Sequence, residues 1–310
     1  MDSPKILITG AAGFIGSRLV GILLARGAIC CGVDNLSTGC PKPRERHNLE
    51  FYVQDICAPD GLNAIFESFR PEIVVHLAAI HHIPTCERHP SKAIHTNTVG
   101  TQIVLEASSA AGCRKFVLAS TGGVYDWVNE PLSEETPVRP TDTYTISKIT
   151  NEWQLKHWVA QTGRKGVVAR IFNTIGTGDR NAHLIPDILR QINSAVDTSS
   201  IQLGNLNTQR DYIYVEDTAA CLARMTDFEP KNGVEIFNVG TGKEYGVRFI
   251  AETIARIKNR SVEVRSNPSL VRKVDRSSQL ADISKAIAEL GWKPRVCLEE
   301  ALKLTVGQEA

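Results

Sequence analysis

Tyr144 and Lys148 stand four residues apart in Tyr144-Thr145-Ile146-Ser147-Lys148, a spacing that puts a phenol and an ammonium on one face of a helix. A free tyrosine ionises near pH ~10 and is a poor base at neutrality, but a neighbouring ammonium favours its phenolate. Tyr144 is therefore a candidate base for an alcohol proton. The same spacing also describes an ordinary surface pair, so its meaning rests on what accompanies it. Upstream, the strand-like run ending in Leu118-Ala119-Ser120-Thr121 offers a hydroxyl able to reach the same oxygen, at the strand end where α/β sheets bind ligands.

A glycine-rich turn supplies the second companion. Thr9-Gly10-Ala11-Ala12-Gly13-Phe14-Ile15-Gly16 lies between a short apolar run and a helical pattern. Its first glycines allow a tight turn and close approach of backbone to pyrophosphate, its last allows close helix–strand packing, and the helix start faces the phosphates. The spacing G-x-x-G-x-x-G departs from the commoner G-x-G-x-x-G. Asp34 ends the second strand-like run, where a carboxylate binds ribose hydroxyls and repels a 2′-phosphate; this favours NAD over NADP. Arg44 and Arg46, downstream, would pull the other way. Asp55, after the third run, is a candidate adenine contact or a simple turn residue. A positively charged nicotinamide near Tyr144 would add to the pull toward phenolate.

These residues need a scaffold, and the pattern provides one. Strand-like runs at Ile6–Thr9, Ala28–Val33, Phe51–Gln54, Ile73–Leu77, Lys115–Ala119 and Gly166–Ile171 alternate with helical segments at Phe14–Arg26, Gly61–Phe69, Ala93–Ala111 and Tyr144–Gln161. Such alternation predicts an α/β fold, a Rossmann-type doubly wound parallel sheet. The runs are continuously apolar, as in strands covered on both faces. After Phe172 the pattern loosens, with helical segments at Leu184–Asn193, Glu216–Arg224, Val247–Lys258, Ser284–Leu290 and Leu298–Leu304 and strand-like runs at Tyr212–Val215 and Val234–Val239. We expect a dinucleotide-binding domain from residues 1–172 and 206–242, and a smaller, discontinuous C-terminal substrate domain from 173–205 and 243–310.

Composition narrows the classes further. The 310 residues carry 35 Lys+Arg against 34 Asp+Glu, a formal charge of +1, so no basic excess points to nucleic acid or a membrane surface. Apolar residues at 42% and charged residues at 22% are globular rather than disordered composition. No apolar stretch approaches the ~20 residues of a membrane helix, and Met1-Asp2-Ser3-Pro4-Lys5 lacks the pattern of a signal peptide. Eight cysteines without a CxxC fit reduced thiols in a cytoplasm.

Taken together the set resembles the extended short-chain dehydrogenase/reductase family, in the branch acting on nucleotide sugars, and is similar to UDP-sugar 4-epimerases. Ten ordered segments carry the resemblance, among them Gly10–Gly16, Val33–Leu36, Val75–Ala79, Asn97–Thr101, Ser120–Tyr125, Tyr144–Lys148, Arg170–Asn173, Arg210–Val215, Asn238–Gly242 and Ala281–Ala286. It implies that Tyr144 is the catalytic base, Lys148 its electrostatic partner and nicotinamide-ribose ligand, and Thr121 the hydroxyl bridging tyrosine and substrate. It implies NAD at Gly10, Gly13, Phe14, Ile15 and Gly16, at Asp34, Asn35, Ser37, Thr38 and Gly39, at Asp55 and Ile56, and at Leu77, Ala78, Ala79 and Asn97. A nucleotide-diphosphate sugar, with UDP the expected base, would meet His81, Thr85, Thr121, Gly122, Asn173, His183, Leu184, Gln202, Arg210 and Arg272, the two arginines gripping the diphosphate. It further implies a homodimer pairing helices Ala93–Ala111 and Tyr144–Gln161 across a two-fold axis.

Within that family, dehydratases carry acids after the strand, whereas this chain has Thr121-Gly122-Gly123-Val124-Tyr125. The glycines point instead to C4 epimerisation, with a glycine-lined floor giving a 4-keto sugar room to turn over. A ketoreductase using NADPH, or a dehydratase drawing its acid from His81, Cys86 or Glu87, are the competing readings. The chain also departs from the family at Asp126 (usually Gly) and at Ile175-Gly176-Thr177 (usually Tyr-Gly-Pro). His81-His82-Ile83-Pro84-Thr85-Cys86-Glu87-Arg88-His89 matches no zinc spacing, so we expect no metal and a loop lining the sugar site.

Overall fold

The computed structural model describes residues 3–38, 41–44, 46–179, 183–194, 200–271 and 276–307. Its strands in chain order are β1 (Lys5–Thr9), β2 (Ile29–Asp34), β3 (Leu49–Val53), β4 (Ile73–His76), β5 (Lys115–Thr121), β6 (Lys165–Ile171), β7 (Asn173–Ile175), β8 (Ser200–Leu203), β9 (Gln209–Tyr214), β10 (Val234–Val239), β11 (Glu244–Gly246) and β12 (Glu263–Ser266). The helices are α1 (Phe14–Ala25), α2 (Pro59–Phe69), α3 (Ile83–Arg88), α4 (Pro90–Ile94), α5 (Gly100–Ala110), α6 (Thr143–Thr162), α7 (Leu184–Asn193), α8 (Val215–Asp227), α9 (Val247–Ile257), α10 (Ser284–Leu290) and α11 (Leu298–Gly307).

Seven strands form one parallel sheet in the order β10-β6-β5-β4-β1-β2-β3. The order reverses between β1 and β4, so a crevice opens at the carboxyl ends of these strands. The expected doubly wound sheet is present. One face is closed by α1, α8 and α10 through Leu19, Leu23, Leu222, Met225 and Leu290. The other is closed by α2, α5 and α6 through Leu62, Phe66, Val104, Leu155 and Trp158. The central strands are buried from both sides, which is why they read as unbroken apolar runs.

Two smaller sheets, β11-β9-β7 and β12-β8, share a second core with α7, α9 and α11, built from Ile188, Ile201, Leu203, Ile250, Ile254 and Leu302. This places strand β9 in the small three-stranded sheet and strand β10, only twenty residues on, at the edge of the large one. Buried Asp211 of β9 ties the two together. Its carboxylate accepts hydrogen bonds from Thr241 N, Thr241 Oγ1 and Gly242 N at 2.6–3.0 Å, in the turn that follows β10.

The helix expected over Ala93–Ala111 runs continuously from Pro90 to Ala110 but widens within it. After α4 the chain makes a π-turn over His95–Val99 before α5 begins. The cause is buried Asn97, whose amide is committed to the loop after β4 (Ile80 N at 2.8 Å, Ile80 O at 2.9 Å) and to Ser147 Oγ on α6 at 3.0 Å. Local widening of a helix of this kind concentrates at functional sites.

Candidate active site

The glycine turn is shaped by contacts that admit no side chain. Gly10 sits at φ +71°, and a Cβ there would stand 2.8 Å from Ala78 N; on Gly16 it would stand 2.1 Å from Gly10 O. Gly13 caps α1 without a side-chain hydrogen bond, so no side chain occupies the helix start where an anion would bind. Asp34 is held on both sides, Oδ2 accepting from Ala12 N at 3.0 Å and Oδ1 from Leu36 N at 2.8 Å. Each oxygen keeps a lone pair for a ribose hydroxyl.

A cavity of about 110 Å³ lies against this turn. Of the residues expected at the cofactor, Asp34, Asn35, Ser37, Thr38 and Ile56 line it, together with Leu77, Ala78 and Ala79 beyond β4. Gly10, Gly13, Leu77 and Ala79 also line a second cavity of about 320 Å³, so the two form one trough. Phe14, Ile15 and Gly16 face the larger part. The fit to an extended dinucleotide is close: a glycine cradle, an uncapped helix start and a fixed carboxylate in series. Asp55 and Asn97 line neither cavity. Asp55 instead accepts from Asn35 Nδ2 at 2.9 Å and so orients a residue that does, while Asn97 braces the wall from behind. Gly39 lies outside the described residues.

Helix α6 brings Tyr144 and Lys148 to the larger cavity. Its start is fixed by a capping box between Asp142 and Thr145 and by Glu87 Oε1, which accepts from Thr143 N at 2.8 Å. Such caps hold the first turn, and with it Tyr144, in one orientation. The Lys148 ammonium lies 5.9 Å from the Tyr144 ring centre and donates to Ala119 O at 2.9 Å. Burial pushes Lys148 down to about 8, against the pull of Cys86 and Glu152. Burial pushes Tyr144 up, helped by Cys86 and Asp142. In the ligand-free protein, without the nicotinamide charge that the expected pull toward phenolate included, desolvation governs Tyr144 and keeps it a phenol.

Thr121 lines the same cavity; its Oγ1 accepts from Gly123 N at 3.1 Å, leaving its proton free to donate. Gly122 and Gly123 do not make the expected open floor. Gly122 is buried, and a Cβ there would meet the Phe172 ring at 2.8 Å; at Gly123 it would meet Thr145 Cγ2 at 3.0 Å. Both glycines serve packing.

Among the expected substrate residues, His81, Asn173 and His183 line the larger cavity with Thr121. The His81 and His183 rings are 5.9 Å apart, and His183 Nδ1 pairs with Asp179 Oδ2 at 2.7 Å. Others stand away from it. Thr85 Oγ1 bonds His82 Nδ1 at 2.8 Å. Leu184 packs into the core of the smaller sheets. The Gln202 backbone is paired with the Gln191 side chain. Arg210 Nη1 donates to the carbonyls of Gln209 and Arg276, each at 2.8 Å. Arg272 lies outside the described residues. His82 lines the larger cavity too, from the loop expected at the sugar site, whereas sequence reasoning missed Ser120 and Asp179, which also line it. Asp179 carried no signal, being a lone acid in a turn-rich stretch. Neither Cys86 nor Glu87 lines either cavity: Cys86 Sγ bonds Ile80 O, and Glu87 caps α6. No group of three or more metal-ligating side chains occurs among the described residues.

The NAD dependent epimerase/dehydratase family model matches residues 6–240. The chain belongs to this family. Its relatives cover nearly the whole chain. UDP-glucose 4-epimerase of Mycolicibacterium smegmatis is 32% identical over 97% of this chain and 97% of its own length. GDP-6-deoxy-D-mannose reductase of Pseudomonas aeruginosa is 26% identical over 97% and 95%. The crystal structure of UDP-glucose 4-epimerase with UDP-glucose from Thermotoga maritima superposes with a TM-score of 0.88 at 32% identity, covering 98% of this chain and 97% of the other. Among the described residues no helix is long and apolar enough to cross a membrane.

Proposed function

We propose that this protein is an NAD-dependent nucleotide-sugar epimerase that inverts C4 of a UDP-hexose. The observation that carries the reading is that Tyr144, Lys148 and Thr121 line the same cavity as the Gly10–Gly16 turn. Bound in that trough, NAD would take the C4 hydride, return it to the other face of the 4-keto sugar, and add the positive charge that favours the tyrosine phenolate. Tyr144 takes the C4 hydroxyl proton and gives it back. Lys148 stabilises the phenolate electrostatically, and Thr121 donates to the sugar oxygen. Asn173 and His183, which line the cavity, face the sugar. Asp34, already held by two backbone N–H groups, supports NAD over its 2′-phosphorylated form.

Elimination needs an acid at the sugar, and among the described residues two of those the dehydratase reading would draw on, Cys86 and Glu87, line neither cavity. The buried carboxylate of Glu152 is closed off by Arg170 and Ser120, and Cys86 and Glu87 are committed elsewhere. The deciding experiment is NMR of purified protein with UDP-glucose, its galactose epimer, and the corresponding hexuronate and acetamido sugars. We expect interconversion of one epimer pair with no net change in cofactor absorbance. Stoichiometric consumption of reduced cofactor would establish the reductase reading instead.

The same reading includes a cytoplasmic homodimer. Free, mostly buried thiols support the compartment. The dimer face is the outer side of α6, where Ile146 (46% exposed) and Trp153 (58% exposed) stand two turns apart. An exposed tryptophan in an apolar stripe marks an interface. Trp153→Glu should convert the dimer to monomer in light scattering at micromolar concentration; an unchanged mass would refute this face.

A further inference from the structure

We propose that Glu152 is a positioning residue for Lys148: its carboxylate, locked by Arg170 and Ser120, is the fixed counter-charge that keeps the lysine ammonium protonated and aimed into the cavity. This rests on the reading of Lys148 as the partner of Tyr144.

Residues 144, 148 and 152 succeed one another at one-turn spacing on a single face of α6. The first two line the cavity, and Glu152 stands a turn deeper, wholly buried. Its carboxylate is gripped at three points. Arg170 Nε donates to Oε1 at 3.0 Å and Nη2 to Oε2 at 2.7 Å, a two-pronged pairing, while Ser120 Oγ donates to Oε1 at 2.5 Å. Successive residues of β5 therefore fix both groups, Ala119 holding Lys148 through its carbonyl and Ser120 holding Glu152 through its hydroxyl. Arg170 is itself packed over the Tyr125 ring, 4.6 Å from its centre.

The charges around Lys148 single out Glu152. The titratable groups facing the ammonium are Tyr144 and Glu152 from its own helix, Cys86 from α3, His76 from β4 and His81 just beyond. Burial holds His76 at about 3 and His81 at about 4, so both are neutral near pH 7. Burial raises Cys86 to about 11 and raises Tyr144, leaving both protonated and uncharged. Glu152 is the one full negative charge left among these groups. A buried ion pair brings little net stability over an apolar pair of the same shape, because two charges must be stripped of water. Its use here is to hold a third charge: Arg170, Glu152 and Lys148 alternate in sign from the sheet to the cavity.

The test uses opposite shifts. Glu152→Gln preserves size and removes the negative charge, leaving Arg170 to repel the ammonium; the Lys148 titration should fall by at least one pH unit, a factor of about ten in its ionisation constant. Arg170→Gln frees Glu152 to act on Lys148 alone and should raise it. Arg170→Lys, which restores the charge, should return it toward wild type. The readout is the 13Cε shift of labelled Lys148 against pH in the full chain without cofactor, assigned with Lys148→Arg, alongside the alkaline limb of kcat/KM for epimerisation. Should Glu152→Gln fail to fold, the two Arg170 variants decide the matter. Lowered melting temperature with an unmoved Lys148 titration would reduce Glu152 to a structural strut and overturn the proposal. Because the shift is read without turnover, a missing epimerase activity would refute the functional reading and leave this test standing.

Discussion

Tyr144→Phe should lower kcat for UDP-hexose epimerisation by about 10³-fold, within the 10²–10⁴ range for loss of a positioned proton-transfer group. The substitution removes one oxygen and leaves the ring. The caps from Asp142, Thr145 and Glu87 act on the helix backbone and survive it, and Lys148 keeps its bond to Ala119 O. Affinity for NAD, measured by fluorescence titration with the reduced form, should therefore stay within about twofold, since that affinity comes mainly from the glycine turn and Asp34. The pH profile has a matching sign. Burial raises the phenol in the ligand-free protein; the positive charge that bound NAD would add brings it back down, and activity climbs with pH as the phenol then ionises. It falls again as Lys148, held at about 8, loses its charge. The phenylalanine variant should lose the rising limb. Near-normal turnover from it would remove Tyr144 from the chemistry.

What the sequence made legible was whatever is encoded within one or two turns of chain. The glycine turn, Asp34 at the end of β2, and the Tyr144–Lys148 stripe each combine a local conformation with a chemical group a few residues away, and the structure brings all three to one trough. The parallel sheet was legible for a similar reason, since burial on both faces leaves an unbroken apolar run. What stayed hidden depends on long-range partners. Helical periodicity gives no hint that Asn97 will open a π-turn, because the cause is Ile80, seventeen residues earlier. Thr121-Gly122-Gly123 suggested open space, yet the reason for Gly122 is the Phe172 ring. Thr85 was a reasonable sugar contact until His82 was seen to claim its hydroxyl. Glu152 and Arg170, on a helix and a strand eighteen residues apart, carry no joint signature at all.

Gly16→Ala should abolish measurable NAD binding, with an affinity loss of at least about 100-fold, and should cost about 1–3 kcal/mol of stability, the usual price of forcing an extra methyl into a packed site. The added Cβ would lie 2.1 Å from Gly10 O and 3.0 Å from the Ala11 Cα. Both are backbone atoms, and Gly10 is anchored in turn by its N–H to Val33 O at 2.8 Å, so no rotamer change relieves the clash. Helix α1 has to back away from the turn, carrying its uncapped start away from where a pyrophosphate must sit. Gly21→Ala is the control, because it lies in the same helix with nothing within 4 Å of its added Cβ; better helix propensity should stabilise it by up to ~1 kcal/mol, with NAD affinity unchanged. Calorimetric titration with NAD and a thermal melt of each variant separate the two effects. If Gly16→Ala bound NAD as wild type does, the turn would be a packing device alone and the dinucleotide would have to bind elsewhere in the chain.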